Sequence, residues 1–153
     1  VTARILMDQI RNEALGFLGV AEDATYEQME QYYPQAFKAY IDKGIELDIL
    51  DEELKNYDLE KLGNAIEHQR DNQFTYLGLQ TLYDRYFIHS DEVRYELPQV
   101  FFMRVAMGLG IEEKDREERT IEFYRLLSSF DYMSSTPTLF NSGTKDHNYL
   151  HAI

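Results

Sequence analysis

The residues best suited to chemistry crowd into one stretch near the end of the chain. Ser134, Ser135, Thr136, Thr138, Ser142 and Thr144 fall within MSSTPTLFNSGT, with Pro137 and Gly143 among them. Hydroxyls and main-chain N–H groups are neutral donors. A run of them can converge on phosphate oxygens without a cationic side chain. Residues 130–144 contain no Lys or Arg, so any anion held there is held by neutral donors. Pro137 fixes the backbone just after Thr136 and would stiffen such a nest. A Ser/Thr-rich loop at a sheet edge is the plainer reading of the same composition. Asn141-Ser142-Gly143 has the composition of a turn.

Other chemistries find less support. A di-metal site in a helix bundle needs Glu-x-x-His on one helix face, twice. The residues three before His68, His89, His147 and His151 are Ala65, Tyr86, Thr144 and Asn148, none of them a carboxylate. His147 and His151 have the spacing of a zinc pair but lack the accompanying Glu. No G-x-S-x-G elbow, Walker motif or G-x-G-x-x-G is present. The 12 Tyr and 9 Phe at helical spacing read as core and interface packing. With no cysteine, the chain has no thiol nucleophile, thiolate ligand, thiyl radical or disulfide. That usage agrees with a reducing, cytoplasmic setting. No catalytic residue and no metal ligand is therefore expected within the chain.

The elements that would carry the hydroxyl stretch are helical. Ala3, Leu6, Ile10, Ala14 and Phe17 form a helical stripe over residues 3–18, with Gly16 and Gly19 suited to its end. Thr25 and Gln28 have capping-box spacing before a second helix reaching about Lys43. Pro34 predicts a kink or break in it, and Gly44 a stop. Residues 45–57 read as irregular, Asp58 as the cap of a short helix, and EHQRDNQF as a polar turn. A helix over 75–83 follows. YFI and VRYE then suggest a small hairpin around a turn at HSDEVRYE. PQVFFMRVAMGLG, apolar nearly all round, reads as the central buried helix, with Pro98 in its first turn. DREERTIEFYRLLSSF is the last helix, with acids in its first turn. DYMSSTPTLFN then turns extended, and a lone strand implies partner strands elsewhere.

At 153 residues and 44% apolar content the chain fits one unit with a sizeable core. A net charge of −13 disfavours nucleic acid as a partner. No apolar run is long enough to span a membrane. The N-terminus lacks an initiator Met and a signal-peptide core, which suggests a chain cut from something longer.

MSSTPTLFNSGT resembles the entry to the catalytic barrel in the large (α) subunit of class I ribonucleotide reductase. LYDRYFI (82–88), ELPQVFFMRVAMGLG (96–110) and EFYRLLSSFDYMSSTPTLFNSGT (122–144) resemble that family in the same order, and VTARILMDQIRNEALG resembles its helical N-terminal domain. The resemblance covers residues 1–144. It implies a mainly α fold with a helical N-terminal domain at 1–129. The first strand of a ten-stranded α/β barrel, with the substrate-phosphate loop, would occupy 130–144, and a divergent tail 145–153. It implies a part in the reduction of ribonucleoside diphosphates to deoxyribonucleotides for DNA synthesis, by a thioredoxin- or glutaredoxin-dependent oxidoreductase. Thr136, with Ser135 beside it, matches the family's substrate-contacting position. The implied partners are the barrel polypeptide, a second large subunit, the metal-containing small subunit that supplies a radical, and ATP/dNTP effectors. The family's Leu-Ser-Ser-Cys segment is replaced here by KDHNYLHAI, and its cysteines are absent. The chain alone is therefore expected to be inactive. A helical docking module or a remnant is the alternative.

Overall fold

A computed structural model describes residues 2–91, 93–129 and 141–145. Helix α1 (Thr2–Leu18) buries Leu6, Ile10 and Ala14 from the predicted stripe, together with Met7 and Leu15. It ends where Gly19 takes φ 71, and Val20 N–H donates back to the Leu15 carbonyl at 3.0 Å. Half of the expected capping box forms: Thr25 N–H donates to Gln28 Oε1 at 2.9 Å.

Helix α2 (Met29–Glu46) runs on through Pro34, so of the kink or break expected there the break does not occur. Met29 and Tyr33 before the proline and Ala36, Phe37, Tyr40 and Ile41 after it are all buried on one side. Each large apolar side chain there gains about 1.5–3 kcal/mol from burial. Together they outweigh a proline penalty of roughly 3 kcal/mol. Gly44 does not stop the helix. A Cβ on it would lie 2.4 Å from Leu50 Cδ1, so its smallness serves the packing of the following turn.

The stretch expected to be irregular contains a 3-10 helix, Glu52–Asn56, capped by Asp51, whose carboxylate accepts from Glu53 N–H at 2.9 Å. Asp58 caps α3 (Leu59–Asn64) as predicted, accepting from Lys61 N–H at 3.1 Å. The EHQRDNQF segment is a second 3-10 helix, His68–Gln73, and not a turn. Thr75 caps α4 (Tyr76–Thr81), which continues as a π-helical turn, Leu82–Tyr86.

A hairpin exists but lies tighter than predicted. β1 (His89–Ser90) pairs antiparallel with β2 (Val93–Arg94), inside the stretch expected to be the turn. The chain reverses at Asp91, whose φ of 48 supplies the left-handed conformation such turns need. Phe87 is withdrawn from the pairing into the core, its ring 5.3 Å from that of Phe101.

Helix α5 (Pro98–Gly110) is the central helix, buried on all sides from Pro98 through Met107. Helix α6 (Arg116–Leu127) packs along it, burying Thr120, Ile121, Tyr124 and Leu127. No helix among the described residues is long and apolar enough to cross a membrane. The mainly helical class holds, and the only paired strands among the described residues are those of the short ribbon. The expected barrel strand over 130–144 falls largely outside the described residues. Its last part, residues 141–144, makes an isolated antiparallel bridge, Leu50 to Thr144.

Candidate functional site

Thr136 and Ser135 lie outside the described residues, as do His147 and His151. What is described is the turn at the end of the hydroxyl stretch. Asn141-Ser142-Gly143 does form a turn: Thr144 N–H and Thr144 Oγ1 both donate to the Asn141 carbonyl, at 3.1 and 2.6 Å. Gly143 has φ 84, a conformation that side chains disfavour. It also rests on α5, since a Cβ there would lie 2.6 Å from the Arg104 carbonyl oxygen. Gly108 completes the fit, because a Cβ on it would lie 2.0 Å from Ser142 Oγ.

Backbone bonds fasten the other side of the turn. Asp51 N–H donates to the Gly143 carbonyl and Lys145 N–H to the Ile49 carbonyl, both at 3.0 Å. Lys145 Nζ also reaches Asp48 at 2.7 Å, an exposed pair that adds little. Ser142 Oγ is buried and has no hydrogen-bond partner among the described residues.

The strongest hold comes from a buried ion pair. Arg104, on α5, is fully buried, as is Glu96 just before the helix. Arg104 Nε donates to Glu96 Oε2 at 2.9 Å and Nη2 to Oε1 at 3.0 Å, a bidentate pair. Tyr40 from α2 donates its hydroxyl to Glu96 Oε2, and Ile88 N–H donates to Oε1 at 2.8 Å. Both carboxylate oxygens are thus saturated, the condition under which a buried pair is tolerated. The guanidinium also sits 5.0 Å from the Phe101 ring centroid. Its remaining arm, Nη1, donates to the Ser142 carbonyl at 3.0 Å. Burial alone would make Arg104 easier to deprotonate, but Glu96 and Tyr40 more than reverse this and keep it charged. Burial and then Glu96 raise the Tyr40 hydroxyl well above its ordinary value, so it stays a donor.

A second buried network ties α2, α5 and α6. Asp71 Oδ2 accepts from Tyr33 at 2.7 Å, and Oδ1 accepts from Gln99 Nε2 at 2.8 Å. Tyr124 donates to Gln99 Oε1 at 2.7 Å and accepts from Glu67 N–H at 2.9 Å. Burial pushes the Asp71 carboxyl up to about 6, against the opposing pull of Tyr33, Gln99 and Arg11. Asp71 lines a cleft of about 560 Å³ with Arg4, Asp8, Arg11 and Tyr26. Among the described residues no group of three or more metal-ligating side chains converges.

Neither network was singled out from the sequence. The available signal was one of contrast: Gln99 and Arg104 are polar residues inside an otherwise apolar helix, and burial there demands partners.

Residues 72–147, which take in Gln99, Arg104 and the whole turn, match the family model described as ribonucleotide reductase, all-alpha domain. The chain belongs to the ribonucleotide reductase large-subunit family. It is 49% identical over 146 residues to the ribonucleoside-diphosphate reductase subunit alpha of Chlamydia muridarum, covering 95% of this chain and 13% of that protein. To the subunit alpha of Helicobacter pylori strain 26695 it is 36% identical over 149 residues, covering 96% of this chain and 17% of that protein. To the ribonucleoside-diphosphate reductase large subunit of Plasmodium falciparum it is 36% identical over 85 residues, 56% of this chain and 10% of that protein. The chain therefore spans between about a tenth and a sixth of the length of these relatives.

Proposed function

We propose that this chain supplies the helical part of a class I ribonucleoside-diphosphate reductase large subunit and carries the phosphate end of its substrate pocket. The observation that carries this reading is the turn at 141–145. It ends the hydroxyl stretch, lies within the family match, and is fastened to the buried centre of the helical core. A stretch that orients neutral donors on a phosphate needs such a fixed end, because donor placement and not charge does the holding.

In this reading Thr136 donates its hydroxyl to a diphosphate oxygen, with Ser135 and nearby main-chain N–H groups beside it. The chain has no cysteine, so it does no thiyl chemistry of its own. The barrel cysteines belong to the rest of the large subunit, and the radical comes from a metal-containing small subunit. The partners are the rest of the large subunit, a second large subunit and the small subunit. ATP and dNTP effectors act on the assembly, in the cytoplasm.

The test is co-expression with the matching barrel polypeptide, capture through a tag on this chain, and assay of diphosphate reduction with the small subunit. Stoichiometric capture with activity is expected. No capture by a folded chain would overturn the reading and leave a helical docking module or remnant. In the active assembly, Thr136→Ala should weaken transition-state binding by about 0.5–1.5 kcal/mol, the worth of one neutral hydrogen bond. Unchanged kcat/KM would refute the role of Thr136.

A further inference from the structure

We infer that Arg104 is a positioning residue for the substrate segment, acting through the Ser142 carbonyl. The inference rests on the proposed role of Thr136 and extends it to the element that sets where that segment ends.

Arg104 has more donors than its ion pair needs. Glu96 takes Nε and Nη2, and Nη1 turns away to the Ser142 carbonyl. An arginine used only to neutralise Glu96 would not need a third arm on a loop 38 residues further along the chain. The geometry around that contact is fitted to it. Gly143 brings its backbone against the Arg104 carbonyl, and Gly108 clears the space that Ser142 Oγ fills. Asp51 and Ile49 then close the opposite side of the turn. The turn is therefore held between α5 and the chain segment before the Glu52–Asn56 helix. Its orientation is set by a guanidinium that Glu96, Tyr40 and Phe101 already immobilise.

The upstream side has its own tie. Arg70 Nη1 donates to the Arg125 carbonyl at 2.7 Å and also to Ser128 Oγ, at the end of α6. The described chain before residue 130 thus ends at a fixed point, at Ser128, and the described chain from residue 141 begins at another, at Ser142. Closing a segment between two fixed ends removes conformations that would misplace a phosphate donor.

Arg104→Lys separates the two roles of the side chain. Lysine keeps a cation for Glu96 but has no planar fork to reach Glu96 and Ser142 together. A Glu96→Gln/Arg104→Met double variant serves if the lysine variant fails to fold, since it removes both charges at once. Amide hydrogen exchange on the intact chain is the first readout. Protection of the Asp51 and Lys145 amides is expected to fall about tenfold, on the scale of one charge-assisted hydrogen bond. The α5 amides, Phe101 N–H among them, should keep theirs. Equal loss throughout the chain, or no loss at Asp51 and Lys145, overturns the inference.

The second readout is the assembled enzyme. KM for a ribonucleoside diphosphate should rise about tenfold, with kcat changed less than about twofold. An unchanged KM overturns the inference. If the unsubstituted assembly is inactive, the reading in the preceding section fails, while the exchange result still decides whether Arg104 anchors the turn.

Discussion

Asp71 offers a test whose magnitude follows from its surroundings. The residue is 6% exposed, and its carboxyl accepts two hydrogen bonds, from Tyr33 and Gln99. Those bonds and the nearby Arg11 favour the carboxylate, but burial prevails and raises the group from 3.8 to about 6. A folded-state value above the unfolded one means the folded chain binds the proton more tightly. The associated stability is fully present below the unfolded value and is lost as pH rises through about 6. The whole effect is about 3 kcal/mol, and about 2 kcal/mol of it lies between roughly pH 4.5 and pH 7. Asp71→Asn removes the titration while keeping the shape. It also disturbs one hydrogen bond, by about 1 kcal/mol, and does so equally at both pH values. Urea unfolding of both proteins, followed by circular dichroism at the two pH values, isolates the effect. The other carboxylates titrate in both chains and cancel. The asparagine chain should gain about 2 kcal/mol on its parent between the lower and the higher pH. A difference that stays constant with pH would refute the raised carboxyl. A difference of opposite sign would mean that Arg11 holds Asp71 ionised.

Two further substitutions probe packing around the candidate site. Phe101 is fully buried, its ring 5.3 Å from Phe87 and 5.4 Å from Phe102. Phe101→Ala should destabilise the chain by about 3–5 kcal/mol in the same urea assay, and a loss below about 1 kcal/mol would remove it from the core. Gly143→Ala places a Cβ 2.6 Å from the Arg104 carbonyl at φ 84. It should cost at least about 1–2 kcal/mol from the backbone conformation alone. Cleavage by chymotrypsin within residues 130–145 should quicken in that variant while the helices resist.

Much of the fold is local and could be read from residue spacing. The apolar stripe of α1, the cap at Asp58, the helix that begins at Thr75, and the buried α5 behind Pro98 all follow from contacts within a few residues. The misreadings share a physical cause in tertiary packing. Pro34 should break a helix considered alone, but the stripe on both sides of it faces one core. YFI has the composition of a strand, but Phe87 is drawn against Phe101 and the pairing moves on to His89–Ser90 and Val93–Arg94. At the candidate site, the turn at Asn141-Ser142-Gly143 was legible from its residues. Its docking was not. Arg104 and Ser142 are far apart in the chain, as are Leu50 and Thr144, and no spacing rule links them.

The placement of polar residues on α5 explains how a helix that is apolar nearly all round keeps one orientation. Apolar packing is weakly directional, so such a helix could turn or slide with modest loss. Gln99 and Arg104 are five positions apart, which at about 100° per residue puts them on well separated sides of the helix. Gln99 meets Tyr124 and Asp71, while Arg104 meets Glu96 and the Ser142 carbonyl. A rotation that eased one network would break the other and leave a buried charge unpaired, at a cost of about 3–5 kcal/mol. Helix α5 is thereby fixed about its axis by two independent sets of hydrogen bonds. The turn that ends the hydroxyl stretch hangs from one of them, so its position inherits that fixed orientation.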